Sequence, residues 1–260
     1  MTAISLCGDV TGVPTEGEPT TSLHSWDLSS GVDGPGTRLV LFAAGCPLRC
    51  LYCQNPDTWT ARNGKRVTLT EVMAKVHRYR RVFQMTGGGV TFSGGEPMLN
   101  ARFTAAALRE CHELGVHTAM DTSGALGDRF TDDDLGALDL CLLDIKSFDP
   151  ATYHRATGGD VEPTLRFARR LADLGRSMWI RFVLVPGLTD DPANVEGLAD
   201  FVASLGPAVE RVDVLAFHRL GEPKYEALGL RFPLKDTPGP SLELLAHVRG
   251  RFAARGLVVT

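Results

Sequence analysis

The chain has 260 residues, of which 43% are hydrophobic and 22% are charged, and its formal net charge is −4. This length and composition are typical of one large globular domain rather than of a disordered or fibrous protein. The slightly acidic balance argues against a nucleic-acid partner, and no apolar run approaches the roughly 20 residues of a membrane span. We therefore expect neither nucleic acid nor a membrane as a partner.

The first 22 residues are predicted to be a flexible leader, followed by one domain over residues 23–260. The leader is rich in Thr, Pro and Gly and lacks the basic start and apolar core of a secretory signal. The six cysteines do not resemble a disulfide framework, because a chain of this length can build a hydrophobic core that is stable without disulfide bonds. The sequence thus predicts a reducing, cytoplasmic location. Cys7, Cys111 and Cys141 are scattered singly and are expected to be inert thiols, with the role of Cys7 and of the leader left open.

Strand and helix patterns then alternate along the chain. The predicted strands are apolar runs that cover residues 37–44, 88–95, 116–124, 138–146, 178–187 and 211–218. The first runs directly into the cysteine segment, and the other five end in Gly or polar residues. The predicted helices have apolar residues at helical spacing, and they cover residues 70–83 (with Thr70 as N-cap), 101–114, 132–137, 164–174, 194–205 and 241–254. Six strands alternating with helices predict parallel βαβ units, whose polar strand ends should meet at one mouth.

Three cysteines within eight residues, Cys46, Cys50 and Cys53, follow the first predicted strand. Thiolates at CxxxCxxC spacing can hold three corners of a metal cluster, whereas a complete cysteine-only site needs four. No fourth cysteine follows nearby, so one metal corner stays open, as a reactive site requires. A structural zinc site is the alternative, but His24 and His77 lie more than twenty residues away and neither is in a paired motif.

The segment GGGVTFSGGEP, Gly87 to Pro97, ends the second predicted strand. Its glycines let a backbone approach a ligand closely, and Glu96 can accept a hydrogen bond from an ammonium group. Turns alone also explain glycines, so this segment is weak evidence by itself. It gains weight because it follows the cysteines by about forty residues.

Polar residues also end three later strands. Asp121 ends the third, Asp144 and Lys146 end the fourth, and His218 ends the sixth. Two carboxylates and a lysine at successive strand ends of a barrel should converge on one cavity. Solvated loop charges, a salt bridge and, for His218, ordinary packing remain the alternatives.

Taken together, the motifs resemble the radical S-adenosylmethionine (radical SAM) superfamily and, within it, the glycyl-radical-enzyme activases. The resemblance covers nearly everything from about Leu23 to the C-terminus. Its markers are GVDGPGTR, GCPLRCLYCQNPDTW, GGGVTFSGGEP, DTSG, LLDIK and WIRFVLVPG. The resemblance implies an α/β fold, a partial (β/α)6 TIM-like barrel of the radical SAM type. An incomplete barrel also fits a substrate as wide as a peptide loop.

The resemblance further implies a [4Fe–4S] cluster and S-adenosyl-L-methionine (SAM), whose methionine part chelates the iron that no cysteine holds. The residues it implies as catalytic are Cys46, Cys50, Cys53 and Lys146, with the three cysteines as metal ligands. Those it implies as cofactor-binding are Tyr52, Cys53, Gln54, Gly94, Gly95, Glu96, Asp121, Asp144, Ile145, Lys146 and His218. A monovalent cation, Na+ or K+, is expected beside the aspartates. Arg181 is expected to meet the cofactor or partner, or to form a structural ion pair.

The activity implied is reductive cleavage of SAM and removal of a hydrogen atom from a glycine of a partner enzyme. Between Cys53 and Gly87 there is no further cysteine, which favours the branch that acts on pyruvate formate-lyase. Flavodoxin or ferredoxin is the expected reductant, and a monomer is the expected state. Gln54 replaces a histidine common in the family, which leaves its fine contacts open. The alternatives are an activase of a different glycyl radical enzyme, a non-catalytic iron–sulfur electron carrier and a zinc scaffold.

Overall fold

The structure of the chain is a computed structural model that describes residues 17–260. Cys7 and residues 1–16 of the predicted leader lie outside this range. The strands are β1 (Thr20–Ser30), β2 (Thr37–Ala43), β3 (Lys65–Thr68), β4 (Gly89–Gly94), β5 (His117–Thr122), β6 (Leu140–Asp144), β7 (Ser177–Leu184) and β8 (Val209–Ala216). The helices are α1 (Leu69–Thr86), α2 (Ala101–Glu113), α3 (Asp132–Gly136), α4 (Pro150–Thr157), α5 (Glu162–Asp173), α6 (Pro192–Ser204), α7 (Glu222–Ala227) and α8 (Leu242–Ala253).

Six strands pair in parallel in the order β2-β4-β5-β6-β7-β8, which confirms the predicted run of βα units. β1 and β3 were not predicted. They add to the β2 side as antiparallel strands, and β1 begins at Thr20, inside the segment assigned to the leader. The described strands β3 and β8 are the two edges and do not pair with each other. The sheet is therefore an unclosed, partial barrel.

The start of α1 shows how local sequence sets an element boundary. The Thr68 hydroxyl accepts a hydrogen bond from the Glu71 backbone N–H, while the Glu71 carboxylate accepts one from the Thr68 N–H. This capping box satisfies two backbone donors that the helix leaves open. The predicted N-cap, Thr70, was wrong because only Thr68 has a glutamate three residues later. Gly87 ends the helix with a left-handed φ of 64°.

The core lies between the sheet and the helices that cover its outer face. Leu140, Cys141, Leu142 and Leu143 of β6 are all buried, because one face of a parallel strand meets helices and the other the barrel interior. Each buried aliphatic side chain contributes on the order of 1.5–3 kcal/mol. Within residues 17–260, no helix is long and apolar enough to cross a membrane.

Candidate functional site

A cavity of about 250 Å³ opens where the parallel strands end. This is the end at which α/β barrels place their reactive groups. Most of the predicted site residues line it: Cys46, Cys50, Tyr52, Cys53, Gln54, Gly94, Gly95, Asp121, Asp144, Lys146 and His218. Glu96 and Ile145 do not line it. Strands that are far apart in the sequence are thus brought to one mouth, as the strand-end pattern predicted.

The segment that carries the cysteines leaves β2 and is tied down on two sides. The Cys46 N–H donates to the Trp59 carbonyl over 3.1 Å, and the Arg49 N–H donates to the Thr157 carbonyl over 2.8 Å. The second of these bonds joins the segment to the end of α4. The loop is therefore held by backbone contacts before any ligand binds, and its three cysteines are free thiols.

Burial governs the protonation of these thiols. It raises the pKa of Cys46 to about 12, with a further contribution from the Glu96 carboxylate. It raises the pKa of Cys50 to about 11, against the opposing effect of the Lys146 ammonium. Burial also raises the pKa of Cys53. The thiols are protonated near neutral pH, so a metal must displace protons as it binds.

The arrangement of the cysteines fits a cluster better than a single ion. Within residues 17–260, no group of three or more His, Cys, Asp or Glu side chains is gathered around a point that could hold one metal ion. A structural zinc site needs such a gathering. A [4Fe–4S] cluster does not, because each thiolate binds a different iron.

The glycines of the second motif allow β4 to pack against the start of the cysteine segment. A side chain on Gly95 would place its Cβ 2.2 Å from the Gly45 carbonyl oxygen, and one on Gly94 would place it 2.5 Å from the Ala43 nitrogen. Gly94 also has a φ of 100°, a backbone conformation that favours glycine. These two glycines line the cavity, and a side chain at either position would push β4 away from the backbone that leads to Cys46.

Glu96 is turned away from the cavity and is 1% exposed. One oxygen of its carboxylate accepts from the Thr122 hydroxyl over 2.6 Å, and the other accepts from the Ser123 hydroxyl over 2.6 Å and from the Ser123 N–H over 3.1 Å. Burial raises the pKa of Glu96, while these hydrogen bonds oppose the rise. The side chain joins the ends of β4 and β5, and its geometry does not support the predicted contact with an ammonium group.

Asp144, Lys146 and Tyr52 form a charged wall of the cavity. The Lys146 ammonium donates to Asp144 Oδ2 and lies 5.8 Å from the centre of the Tyr52 ring. Burial disfavours the charged lysine, but the negative charges of Asp144, Cys50 and Tyr52 together outweigh burial and keep the pKa of Lys146 well above its usual value. Asp144 Oδ1 and the Tyr52 hydroxyl are buried and have no hydrogen-bond partner among residues 17–260. Such atoms mark a place for a polar ligand.

Arg181 forms an ion pair with Asp121. A structural ion pair was the alternative to the expected contact of Arg181 with the cofactor or partner. Arg181 Nη1 lies 3.1 Å from Asp121 Oδ2, which also accepts from the Ser93 hydroxyl over 2.9 Å. Burial disfavours the guanidinium charge, but Asp121 and three further aspartates raise the pKa of Arg181. Its Nη2 donates to the Val32 carbonyl, in the loop between β1 and β2. Arg181 thus lies below the cavity, which it does not line.

Side chains also connect the loop after β2 with the loop after β8. Gln54 Nε2 donates to the His218 carbonyl over 3.1 Å and to the Tyr52 carbonyl over 3.0 Å. The Lys224 ammonium lies 2.8 Å from Asn55 Oδ1 and 3.2 Å from Asp57 Oδ2. Sequence reasoning missed Lys224. Lys224 belongs to the segment LAFHRLGEPKY that contains His218, and only this neighbourhood pointed to it.

Comparison with known proteins shows the family of this chain. The Radical SAM superfamily profile matches residues 40–199. Pyruvate formate-lyase 1-activating enzyme of Escherichia coli is 39% identical over 230 residues, which is 88% of this chain and 93% of the relative. Pyruvate formate-lyase-activating enzyme of Staphylococcus aureus is 43% identical over 228 residues, which is 85% of this chain and 90% of the relative. The chain belongs to the radical SAM superfamily, in the family of pyruvate formate-lyase activating enzymes.

A solved structure also resembles this radical SAM chain. It is a domain of pyruvate-formate lyase-activating enzyme from Bacteroides vulgatus, with a TM-score of 0.56 and 29% identity. The match covers 66% of this chain and 98% of that domain. The fold class and the cofactors expected from the sequence, a [4Fe–4S] cluster and SAM, are those of the superfamily.

The residues present fit these cofactors. Three free thiols line one wall of the cavity, and no other cysteine of residues 17–260 lines it. Asp144 Oδ1, the Tyr52 hydroxyl and Gln54 Oε1 are buried polar atoms without a partner in that range. A ligand that carries ammonium, carboxylate and hydroxyl groups, as SAM does, can satisfy such atoms.

Proposed function

We propose that this chain activates pyruvate formate-lyase by removing a hydrogen atom from one glycine of that enzyme. One observation carries the proposal. Three cysteines share a strand-end cavity with the unsatisfied oxygen of Asp144, and no fourth cysteine of residues 17–260 lines that cavity. The curated relatives from Escherichia coli and Staphylococcus aureus are named for pyruvate formate-lyase, and this supports the choice of substrate.

The cavity supplies a separate contact for each part of the cofactors. Cys46, Cys50 and Cys53 would hold the cluster. Asp144 Oδ1 would accept a hydrogen bond from SAM, and Lys146 would offset the negative charge of the thiolates nearby. When bound, the cluster and SAM supply a one-electron reduction and a carbon-centred radical, chemistry that no side chain provides.

The protein contributes position and shielding. The Gly94–Gly95 backbone leaves room against the cavity wall, while the ion pair of Arg181 with Asp121 closes the interior beneath it. A monovalent cation, Na+ or K+, binds near Asp121. His218 is exposed at the rim, where it contacts the cofactor or the incoming substrate.

The substrate is a glycine because this residue has no side chain to obstruct approach to its α-carbon. Its loop has to leave its own protein to reach the mouth. The enzyme works as a monomer in the cytoplasm, where thiols stay reduced. Flavodoxin or ferredoxin supplies the electron.

The test uses the whole chain, loaded anaerobically with iron and sulfide and reduced with dithionite in the presence of SAM. We expect 5′-deoxyadenosine and methionine in equal amounts. Adding pyruvate formate-lyase should then give a glycyl radical signal in electron paramagnetic resonance. If a fully loaded cluster yields no 5′-deoxyadenosine, the proposed enzymatic activity is refuted. The electron-carrier alternative then remains.

A second arm decides the substrate. Other glycyl radical enzymes are offered to the same loaded chain under the same conditions. A signal on one of them, with none on pyruvate formate-lyase, identifies an activase of a different enzyme. If the purified chain contains zinc and forms no cluster on reconstitution, the zinc-scaffold alternative is supported instead.

A further inference from the structure

The strongest charge asymmetry in the chain lies outside the cavity. Residues 61–86, which include β3 and α1, contain seven Lys and Arg and only one acidic residue, Glu71. The rest of the chain has 20 Lys and Arg against 30 Asp and Glu. A segment of charge +6 thus stands in a protein of charge −4. Six of its cations form what we name the basic face: Arg62, Lys65, Arg66, Lys75, Arg78 and Arg81.

The basic face is exposed and its charges are not neutralised. All of its side chains are exposed except Lys75, which is half-buried. Among the residues that the structure describes, none of the six forms a salt bridge. The Lys75 ammonium lies 4.4 Å from the centre of the Trp26 ring, and the Arg78 guanidinium lies 5.9 Å from that of Tyr79. Aromatic rings hold these cations in place without cancelling their charge.

The basic face begins beside the segment that carries the first cysteine. A Cβ on Gly45, the residue before Cys46, would lie 3.5 Å from the Cβ of Ala61. A Cβ on Gly64 would lie 2.8 Å from that of Ala44. The chain at residues 61–65 therefore packs directly against the segment that leads to Cys46.

The position of the face separates it from the cavity mouth. None of its six residues lines the cavity. β3 is an edge of the sheet, joined to β2 through β1. A protein that contacts the basic face therefore leaves the mouth free for a substrate loop.

We propose that the basic face is the docking surface for an acidic protein that donates electrons to the cluster. The proposal rests on the proposed function, which requires one electron for each SAM cleaved. The reduced donor loses that electron and the cluster gains it. Opposite charges speed such an encounter, and electron-transfer complexes are characteristically small and short-lived.

The test compares a protein donor with small reductants. The variant Lys65→Glu/Arg66→Glu/Arg78→Glu is compared with the control Arg109→Glu/Arg166→Glu/Arg169→Glu, which changes net charge equally on α2 and α5. Each cluster-loaded protein is reduced with flavodoxin hydroquinone, with dithionite or with photoreduced 5-deazaflavin. Cluster reduction is followed by stopped-flow absorbance, and 5′-deoxyadenosine is measured in parallel.

With flavodoxin, we expect the second-order rate of reduction of the basic-face variant to fall by about tenfold or more, and its dependence on salt to weaken. With deazaflavin, the variant and the wild type should agree within about twofold, as should the control with either reductant. A wild type that makes no 5′-deoxyadenosine with dithionite refutes the proposed function instead. The docking proposal is still decided by the stopped-flow rates.

Three results overturn the docking proposal. One is an equal loss of rate in the variant with flavodoxin and with deazaflavin. Another is normal reduction by flavodoxin but loss of glycyl radical formation on pyruvate formate-lyase, which assigns the face to the protein substrate. The third is normal reduction by flavodoxin with self-association of the variant, which assigns Lys65 and Arg66 to protection of the sheet edge.

Discussion

The two buried arginines of the sheet are held in opposite ways. Arg38, in β2, is fully buried and donates to neutral oxygens, including those of Thr91, Val90 and His117. Burial lowers the pKa of Arg38 to about 10. Arg181, in β7, lies instead among aspartates, which raise its pKa.

This difference in hydrogen-bond partners distinguishes the interior of the fold, where Arg38 lies, from the region just beneath the cavity mouth, where Arg181 lies. The Arg38 guanidinium finds its partners within the fold, so it stabilises the first loop and strand without a ligand. Around Arg181 some atoms remain unsatisfied in residues 17–260, notably its own Nε and Asp144 Oδ1. Variants of the interior should therefore cost stability, whereas variants of the mouth should cost binding and activity.

The largest effect is expected at the mouth, from Cys50→Ser. A serine hydroxyl is a poor ligand for iron, so the cluster should be lost and 5′-deoxyadenosine should fall below detection. Iron and sulfide content and anaerobic absorbance measure the loss. Cys111→Ala, at a buried cysteine of α2, is the control and should keep both the cluster and the activity. Full cluster content in Cys50→Ser would contradict the assignment of the ligands.

Arg38→Met tests the interior. Carbonyl groups at Pro35, Val90 and His117 would lose their donors, at about 1–3 kcal/mol for each buried group. We expect the free energy of unfolding, measured with urea, to fall by roughly 3 kcal/mol or more. Arg38→Lys should recover part of it, and 5′-deoxyadenosine per loaded cluster should stay near that of the wild type. Unchanged stability in Arg38→Met would end the contrast between the two arginines.

Asp144→Asn tests the unsatisfied oxygen of the mouth. The substitution keeps the shape of the side chain but removes the negative charge of the carboxylate that accepts a hydrogen bond from SAM. The Kd for SAM should therefore rise about tenfold, which corresponds to about 1.4 kcal/mol. Equilibrium dialysis with the cluster-loaded protein measures it. Asp213→Asn is the matched control, because Asp213 lies on the next strand but one and does not line the cavity. If the two variants weaken SAM binding equally, Asp144 has no direct contact.

The smallest effect concerns Glu96, which lies between the two regions. Burial raises its pKa in the folded chain, so the folded state binds a proton more tightly than the unfolded state. The stability that this adds is present below the unfolded pKa and is lost as pH rises through the folded pKa. Over that window, the free energy of unfolding should fall by at most about 1.4 kcal/mol per pH unit relative to Glu96→Gln. Urea titrations at several pH values measure the free energy of unfolding of both proteins. If the two free energies change with pH in parallel, the prediction is contradicted.

The parallel strands could be predicted because each is a short apolar run, and all but the first end in Gly or polar residues. β1 could not, since its register shifts between Leu23 and Ser25 and this bulge breaks the alternation of apolar residues. α4 was overlooked although its start is readable. Asp149 caps it by accepting from the Thr152 N–H, and Pro150 occupies its first position.

The site was predictable to the level of strand ends but not of side-chain direction. Ile145 shows the limit, because it lies between Asp144 and Lys146 and successive residues of an extended chain face opposite sides. It is fully buried, and its N–H donates to the Arg181 carbonyl. Glu96 follows two glycines, and its carboxylate accepts from Thr122 and Ser123 at the end of β5. Gly94 and Gly95 were expected to let the backbone approach a ligand, and the structure shows them approaching the backbone before Cys46.

The unclosed sheet has a mechanical consequence. No ladder of backbone hydrogen bonds joins β2 to β8 in residues 17–260. Side chains connect their loops instead: Gln54 with His218, Lys224 with Asn55 and Asp57, and the ring of Trp59 with that of Tyr225. The polar contacts contribute only about 1 kcal/mol each, and the ring pair adds about 0.5–1.5 kcal/mol beyond its burial. These contacts bridge a gap in the side of the barrel, and they can break without unfolding any strand. A substrate loop whose two ends stay attached to a large protein can enter through such a gap. A closed barrel would admit the loop only through its open end.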